Sequence, residues 1–225
     1  MISGFISYFS PIAVFERLKS LFTEKRCPVC HTPHSNKKLL CPDCYDIIIN
    51  ESEHDETAKQ QDIYFYAPYR GLLRDLIIDW KFNNNFGYSS LLSQFAASVA
   101  ESIPETMRPD IIIPVPLHPS RLRKRGFNQS LIIAESVATI LGAKLSDRAL
   151  VRNRKTIPQA KLSKEKRADN LKNAFTADKS IIAGKTILLI DDVYTTGSTI
   201  HECSRTLIKA GAVKVEVMVL AKTLL

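Results

Sequence analysis

The sequence predicts an α/β protein, a parallel sheet flanked by helices, preceded by a small N-terminal four-cysteine module. Three observations carry this. The uninterrupted apolar run Ile187–Ile190 suits a central parallel strand buried on both faces. From residue 63 onward, strand-like and helix-like patterns alternate, the order expected of strand–helix–strand units. Two Cys-x-x-Cys pairs, Cys27/Cys30 and Cys41/Cys44, are separated by a ten-residue loop.

Residues 1–26 are largely apolar, have no basic residue ahead of the apolar part and are interrupted by Pro11. They read as a folded or amphipathic segment rather than a signal peptide. No apolar run approaches the roughly 20 residues needed to span a bilayer, so a cytoplasmic protein is expected. In residues 27–49 the four cysteines can present four thiolates to one tetrahedral ion. In a reducing compartment such thiols bind metal rather than pair as disulfides, and structural zinc is expected at Cys27, Cys30, Cys41 and Cys44. His31 and His34 read as loop residues. A redox role is disfavoured because neither pair reads as opening a helix after a strand. Residues 50–62 contain no large apolar residue and read as a linker.

The remaining residues, 63–225, read as one globular domain. Ile63–Tyr69 is aromatic and alternating, as in a strand. Leu72, Leu73, Leu76, Ile77 and Trp80 recur at helical spacing, predicting a helix over 72–82, and a second is expected over 90–102. Ile111–Ile113 reads as a short buried strand. Gly126 marks a loop-to-helix transition, and Ile133, Val137, Ile140 and Leu141 form the next helix's stripe, which Gly142 ends. Ile200, Cys203, Leu207 and Ala210 share one side of a helix over 198–209, making Cys203 a core residue rather than a nucleophile. Val213–Leu220 reads as the last strand.

Charge is unevenly placed. The formal net charge is +8; between 148 and 167 eight basic residues face the single acid Glu165, and Arg121, Arg123, Lys124 and Arg125 crowd five positions. Such clustering points to a polyanionic partner, either a phosphorylated ligand or nucleic acid.

The segment after Ile190 is the most specific. Asp191 and Asp192 fall at the carboxyl end of a buried strand, where open α/β sheets bind ligands. Thr195, Thr196, Gly197, Ser198 and Thr199 follow and lead into a helix. Free N–H groups and the dipole at a helix start attract phosphate, glycine lets the backbone approach closely, and the hydroxyls add donors. Two acids would repel the phosphate itself. They suit the hydroxyls of a ribose, or a ligand-bound magnesium with its waters. A phosphorylated sugar is the expected ligand.

This stretch resembles the phosphoribosyl pyrophosphate (PRPP) signature of type I phosphoribosyltransferases. Together with the four-cysteine module, Tyr69-Arg70-Gly71, Lys81-Phe82, Ile113–Pro119, the run Arg121 to Gln129, and Arg152 with Gln159, Arg167 and Phe175, the chain resembles the ComF/GntX family from about Cys27 onward. The resemblance implies a type I phosphoribosyltransferase-like core of about five parallel strands. It implies ribose and 5′-phosphate contacts from Asp191 to Thr199. A pyrophosphate loop would be formed by Pro116, Leu117 and His118, supported by Arg121, Arg123 and Arg125. A mobile covering loop would carry Arg152, Arg154, Lys155, Gln159 and Arg167. Magnesium would arrive with PRPP, and His118 is the candidate general acid or base. The family reading places such proteins in natural transformation, at the cytoplasmic face of DNA uptake, with single-stranded DNA and DNA-uptake or recombination proteins as partners. A salvage or biosynthetic phosphoribosyltransferase and a gluconate-utilisation protein are the alternatives.

Overall fold

The computed structural model describes residues 25–35, 38–53, 59–60, 63–83, 85–154 and 171–224. The chain divides into two compact units, with the boundary between Asp46 and Ile47.

In the first unit, β1 (Lys25–Arg26) and β2 (Pro33–His34) pair antiparallel. The turn between them closes through Cys27 N donating to Thr32 O at 3.0 Å and His31 N to Cys27 O at 2.9 Å, with His31 at φ +60°. Cys41 immediately precedes α1 (Pro42–Glu53), which has proline at its first position and Asp43 in its first turn. Both features favour a helix start. The second cysteine pair therefore lies at a helix start, but among the described residues no strand leads directly into it, so neither pair opens a helix after a strand, as expected from sequence. α1 also continues through Glu53, and β3 (Lys59–Gln60) pairs antiparallel with the next strand. Residues 50–53 and 59–60 of the segment read as a linker thus have regular structure. The polarity that suggested a linker equally suits an exposed helix end and a sheet edge.

The second unit is built on a six-stranded sheet in the order β3-β4-β10-β9-β5-β6. Its strands after β3 are β4 (Ile63–Pro68), β5 (Ile111–Pro114), β6 (Lys144–Leu145), β9 (Thr186–Tyr194) and β10 (Lys214–Lys222). These five are parallel. β7 (Leu150–Arg152) and β8 (Phe175–Ala177) form a separate antiparallel pair. The helices are α2 (Gly71–Phe82), α3 (Tyr88–Glu101), α4 (Pro119–Arg125), α5 (Gln129–Leu141), α6 (Lys179–Ile182) and α7 (Ser198–Lys209).

Strand periodicity sorts the core into two faces. Ile187 and Leu189 join Ile111, Ile113, Val217 and Val219 in one cluster with Ile200, Cys203 and Leu207 of α7. Alternation turns Leu188, Ile190, Ile112 and Met218 to the opposite face, where α5 packs on β9 and β5 and α3 packs on β4 and α5. Each such buried Leu or Ile contributes about 1.5–3 kcal/mol relative to exposure. β4 was expected to alternate, but apart from Tyr66 all its residues are buried, because it lies inside the sheet. α5 ends at Gly142 with φ +61° as the sequence implied. Ile140 is nevertheless 39% exposed, and Ala134 joins Ile133, Val137 and Leu141 on the buried face.

Sheet order determines where a ligand can sit. From β5 the chain moves outward to β6; from β9 it moves outward the other way to β10. The crevice between β5 and β9 is therefore the topological switch point, where open α/β sheets bind ligands beyond the strands' carboxyl ends.

Candidate functional site

Two loops flank that crevice. After β5 the chain is held by Val115 N donating to Ile190 O at 2.8 Å. It then passes through Pro116, Leu117 and His118 into α4. β9 carries Asp191 and Asp192 near its carboxyl end, and the chain then turns at Thr195–Gly197 into α7.

The acid pair is bound into the fold from two helices. Ser130 Oγ, in the first turn of α5, donates to Asp191 Oδ1 at 2.9 Å, and Asp192 N donates to the same oxygen at 3.0 Å. Lys81 Nζ, near the end of α2, pairs with Asp192 Oδ1 at 2.8 Å; the two side chains are only 15% and 11% exposed. Burial first, and the charge of Asp192 second, push the Asp191 carboxyl up to about 7 against the opposing pull of Lys81 and Ser130.

Gly197 turns the second loop. It has φ +73° and precedes α7, and a Cβ there would run into the Tyr194 hydroxyl. Thr196 and Ser198 hydroxyls are linked at 3.0 Å. A small concavity is lined by Asp191 and Val193–Ile200. We expect Gly197→Ala to destabilise the fold by about 1–2 kcal/mol, the cost of an L side chain in the left-handed region, with the ring of Tyr194 displaced. Urea denaturation against wild type checks this, and unchanged stability would contradict a strained turn at Gly197.

The run Arg125 to Ser130 has a clear local logic. Gly126, φ +81°, closes α4. Phe127 is buried. Asn128 caps α5, accepting from Ser130 N at 3.2 Å, and its Nδ2 donates to Val115 O at 3.1 Å, which fastens α5 to the first loop. Gln129 accepts from Arg125 Nη1 at 2.7 Å, and Ser130 holds Asp191. Each position therefore either shapes or supports the crevice.

The predicted basic residues separate into two groups. Arg121 and Arg125, one turn apart, are both half-buried. Burial lowers the Arg125 pKa, while the charges of Asp192 and Asp191 oppose that shift; burial also lowers that of Arg121. Arg123 lies between them and is exposed, because half a turn of helix points it elsewhere. Arg152, expected on a mobile loop, instead ends β7. It is 6% exposed, its guanidinium lies 5.3 Å from the centre of the Phe175 ring, and burial, then the charge of Arg121, bring its pKa down to about 10. Register pairs Arg152 with Phe175, so both ends of the expected loop are strand. Arg154 donates to Lys172 O at 2.8 Å on the surface. Lys155, Gln159 and Arg167 lie outside the described residues.

His118 has a structural task. Its Nδ1 accepts from Ser120 N at 3.2 Å and lies 2.8 Å from Ser120 Oγ, capping α4. Lys81 and Ser130 had no assigned role from sequence. Lys81 stood in a quoted motif, but nothing local says that α2 delivers it to Asp192. Two clefts adjoin the crevice. One of about 510 Å³ is lined by Tyr194, Thr196–Ser198, His201, Glu202, Arg205 and Lys172. The other, of about 470 Å³, includes Pro116, Leu117, Phe127, Asn128 and Arg152. Both are of the size that holds a small ligand.

In the other unit, the Sγ atoms of Cys27, Cys30, Cys41 and Cys44 all lie within 4.8 Å of one another. Tetrahedral coordination with metal–sulfur bonds near 2.3 Å requires sulfurs about 3.8 Å apart, so the cluster is compatible with one ion after slight contraction. Three of the four are buried. Among the described residues no helix is long and apolar enough to cross a membrane.

Known proteins share this architecture in sequence. The phosphoribosyl transferase domain family matches residues 128–224, from the cap of α5 through β10. The DNA utilization protein YhgH of Escherichia coli O6:H1 is 33% identical over 201 residues, covering 88% of this chain and 84% of that protein. Competence protein F of Haemophilus influenzae is 34% identical over 203 residues, covering 88% and 86%. Competence protein ComFC of Bacillus subtilis (strain 168) is 28% identical over 188 residues, covering 82% and 72%. With a phosphoribosyltransferase-type acid pair and loop at the switch point, a four-cysteine cluster ahead of it, and similarity of this extent along most of its length, the chain belongs to the ComF-type family.

Proposed function

We propose that the protein binds PRPP and serves natural transformation as a phosphoribosyltransferase-like competence protein, handling imported single-stranded DNA at the cytoplasmic face together with DNA-uptake or recombination proteins. The observation that carries the ligand assignment is the acid pair at the end of β9, followed at once by a glycine-turned helix start, at the switch point of the sheet. Asp191 and Asp192 accept from the ribose hydroxyls. Thr195–Thr199 hold the 5′-phosphate with hydroxyls and the first N–H groups of α7. The 1-diphosphate then lies toward the loop after β5, where Arg121 and Arg125 supply positive charge. Gln129 Nε2, buried with no hydrogen-bond partner among the described residues, supplies a further donor there.

Magnesium fits as an ion carried by the diphosphate, since it keeps waters and bridges substrate phosphates; Asp192 already has Lys81 for a counter-ion. Zinc fits the four thiolates and leaves no open position, so its contribution is to folding. The DNA role rests on the competence and DNA-utilization relatives.

Isothermal titration with PRPP, with and without magnesium, on wild type and on Asp191→Ala/Asp192→Ala tests the reading. We expect binding by the wild type and a loss of at least about a hundredfold in the double variant, since each charge-assisted hydrogen bond to a buried carboxylate is worth roughly 1.5–3 kcal/mol. A wild type that does not bind would overturn the proposal.

A further inference from the structure

Beside the acid pair lies a surface the ribose-phosphate site does not use. Phe82 is 69% exposed and Phe86 53%, and they are the two aromatics among the large exposed hydrophobics of the described residues. Single exposed apolar residues are ordinary. These two belong to one assembly. Phe86 packs on Phe127 with centroids 4.1 Å apart, and Phe127 packs on the fully buried Trp80 at 5.7 Å. The Arg125 guanidinium lies 5.5 Å from the centre of the Phe82 ring. Phe82 directly follows Lys81, which holds Asp192.

Hydrogen bonds join the described residues around these rings. Asp79 accepts from Asn83 Nδ2 at 2.5 Å and from Asn85 Nδ2 at 3.1 Å, and the Asn83 bond, ahead of that from Asn85, holds its carboxyl below the usual range despite partial burial. Trp80 Nε1 donates to Ser89 Oγ at 3.0 Å, joining the end of α2 to the start of α3. The rings are therefore presented on a built support. On α4, the helix whose Arg125 reaches Phe82, Lys124 is exposed.

Exposed flat rings on a hydrogen-bonded support, with an exposed lysine on the adjoining helix, match the chemistry of a single strand. Bases stack on aromatics while the cations track phosphates. A pocket for a free base would instead enclose its edges, whereas these rings face solvent. We propose that Phe82 and Phe86 form a stacking platform for bases of single-stranded DNA, with Lys124, next to Arg125 on α4, contacting an adjacent phosphate. This rests on the DNA-handling part of the proposed function and assigns it a surface distinct from the ribose-phosphate loops.

Fluorescence anisotropy with oligothymidine and with an abasic oligonucleotide of equal length tests it. Wild type should prefer the base-bearing strand. Phe82→Ala/Phe86→Ala should bind oligothymidine roughly tenfold or more weakly and no longer distinguish the two strands. Phe82→Leu/Phe86→Leu keeps apolar bulk and should show the same loss, which separates stacking from mere burial. Lys124→Ser should weaken both strands alike and lower the salt slope by roughly 0.7 for one phosphate. A wild type that binds neither strand, or binds both equally, or phenylalanine variants that bind like wild type would overturn the platform. PRPP titration of Lys124→Ser should match wild type. Failure of wild type to bind PRPP would count against the ribose-phosphate site and leave the strand measurements to decide the platform.

Discussion

Lys81→Met is expected to destabilise the protein by roughly 3–5 kcal/mol at pH 8, the usual cost of removing one partner from a buried ion pair, and by clearly less at pH 5.5. The reason lies in the two adjacent carboxylates. In the wild type, Lys81 neutralises Asp192 at 2.8 Å, yet Asp191 still titrates near 7 because burial and Asp192 oppose its ionisation. That value is above the unfolded carboxylate's, so between about pH 4 and 7 the folded chain holds a proton that the unfolded chain has lost. The Asp191 contribution to stability is therefore greatest at low pH and declines as pH rises to about 7. Removing Lys81 raises the folded value further. The deficit against wild type then grows with pH through and beyond 7, where both acids would have to be charged without their partner. Each unit of added shift is worth about 1.4 kcal/mol. Urea denaturation of both proteins at the two pH values measures this, and an equal deficit at both would show that Lys81 does not govern the pair. The same titration bears on function: ribose hydroxyls donate best to carboxylates, so PRPP affinity should strengthen from pH 6 to pH 8.

The second large effect concerns the cysteine module. Cys41→Ser should yield protein without stoichiometric metal, and limited proteolysis should then cut rapidly within residues 27–46. The module's first unit has little apolar interior: Leu40 and the cysteines themselves are its buried hydrophobic residues among those described. Without metal such a small unit cannot offset its conformational entropy, and structural zinc typically supplies an apparent 10–16 kcal/mol to modules of this kind. Metal analysis should show about one zinc per wild-type chain. PRPP titration of Cys41→Ser should be unchanged, because the acid pair and its loop belong to the other unit. A metal-free wild type, or a variant with wild-type protease resistance, would refute the structural role.

Much of the architecture could be read from residues in a row. Ile187–Ile190 is apolar without interruption, and it became the strand buried on both faces. Gly142 ends its helix, and Cys203 packs in the core, as spacing implied. Misreadings fell where local pattern is ambiguous. The polar residues 50–53 extend α1, and Arg152 lies in a buried strand, because a cationic side chain near a lysine-rich stretch looks like loop until Phe175 is seen to pair with it. Arg121, Arg123 and Arg125 are alike in sequence; only the helix they occupy separates the half-buried pair from the exposed one.

The sequence by itself determined which groups stand together at the strand end: two acids, then hydroxyls and glycine, after a buried strand. It also determined the metal-binding potential of four cysteines in two pairs. Both are local statements, since short spacing along the chain already brings those groups together. Tertiary structure alone decided which partners the acids have. Lys81 precedes Asp192 by a long stretch of chain, and Ser130 likewise Asp191, so their meeting depends on α2 and α5 packing against the sheet. The same packing stacks Phe86 on Phe127, which itself packs on buried Trp80, and leaves Phe82 and Phe86 exposed.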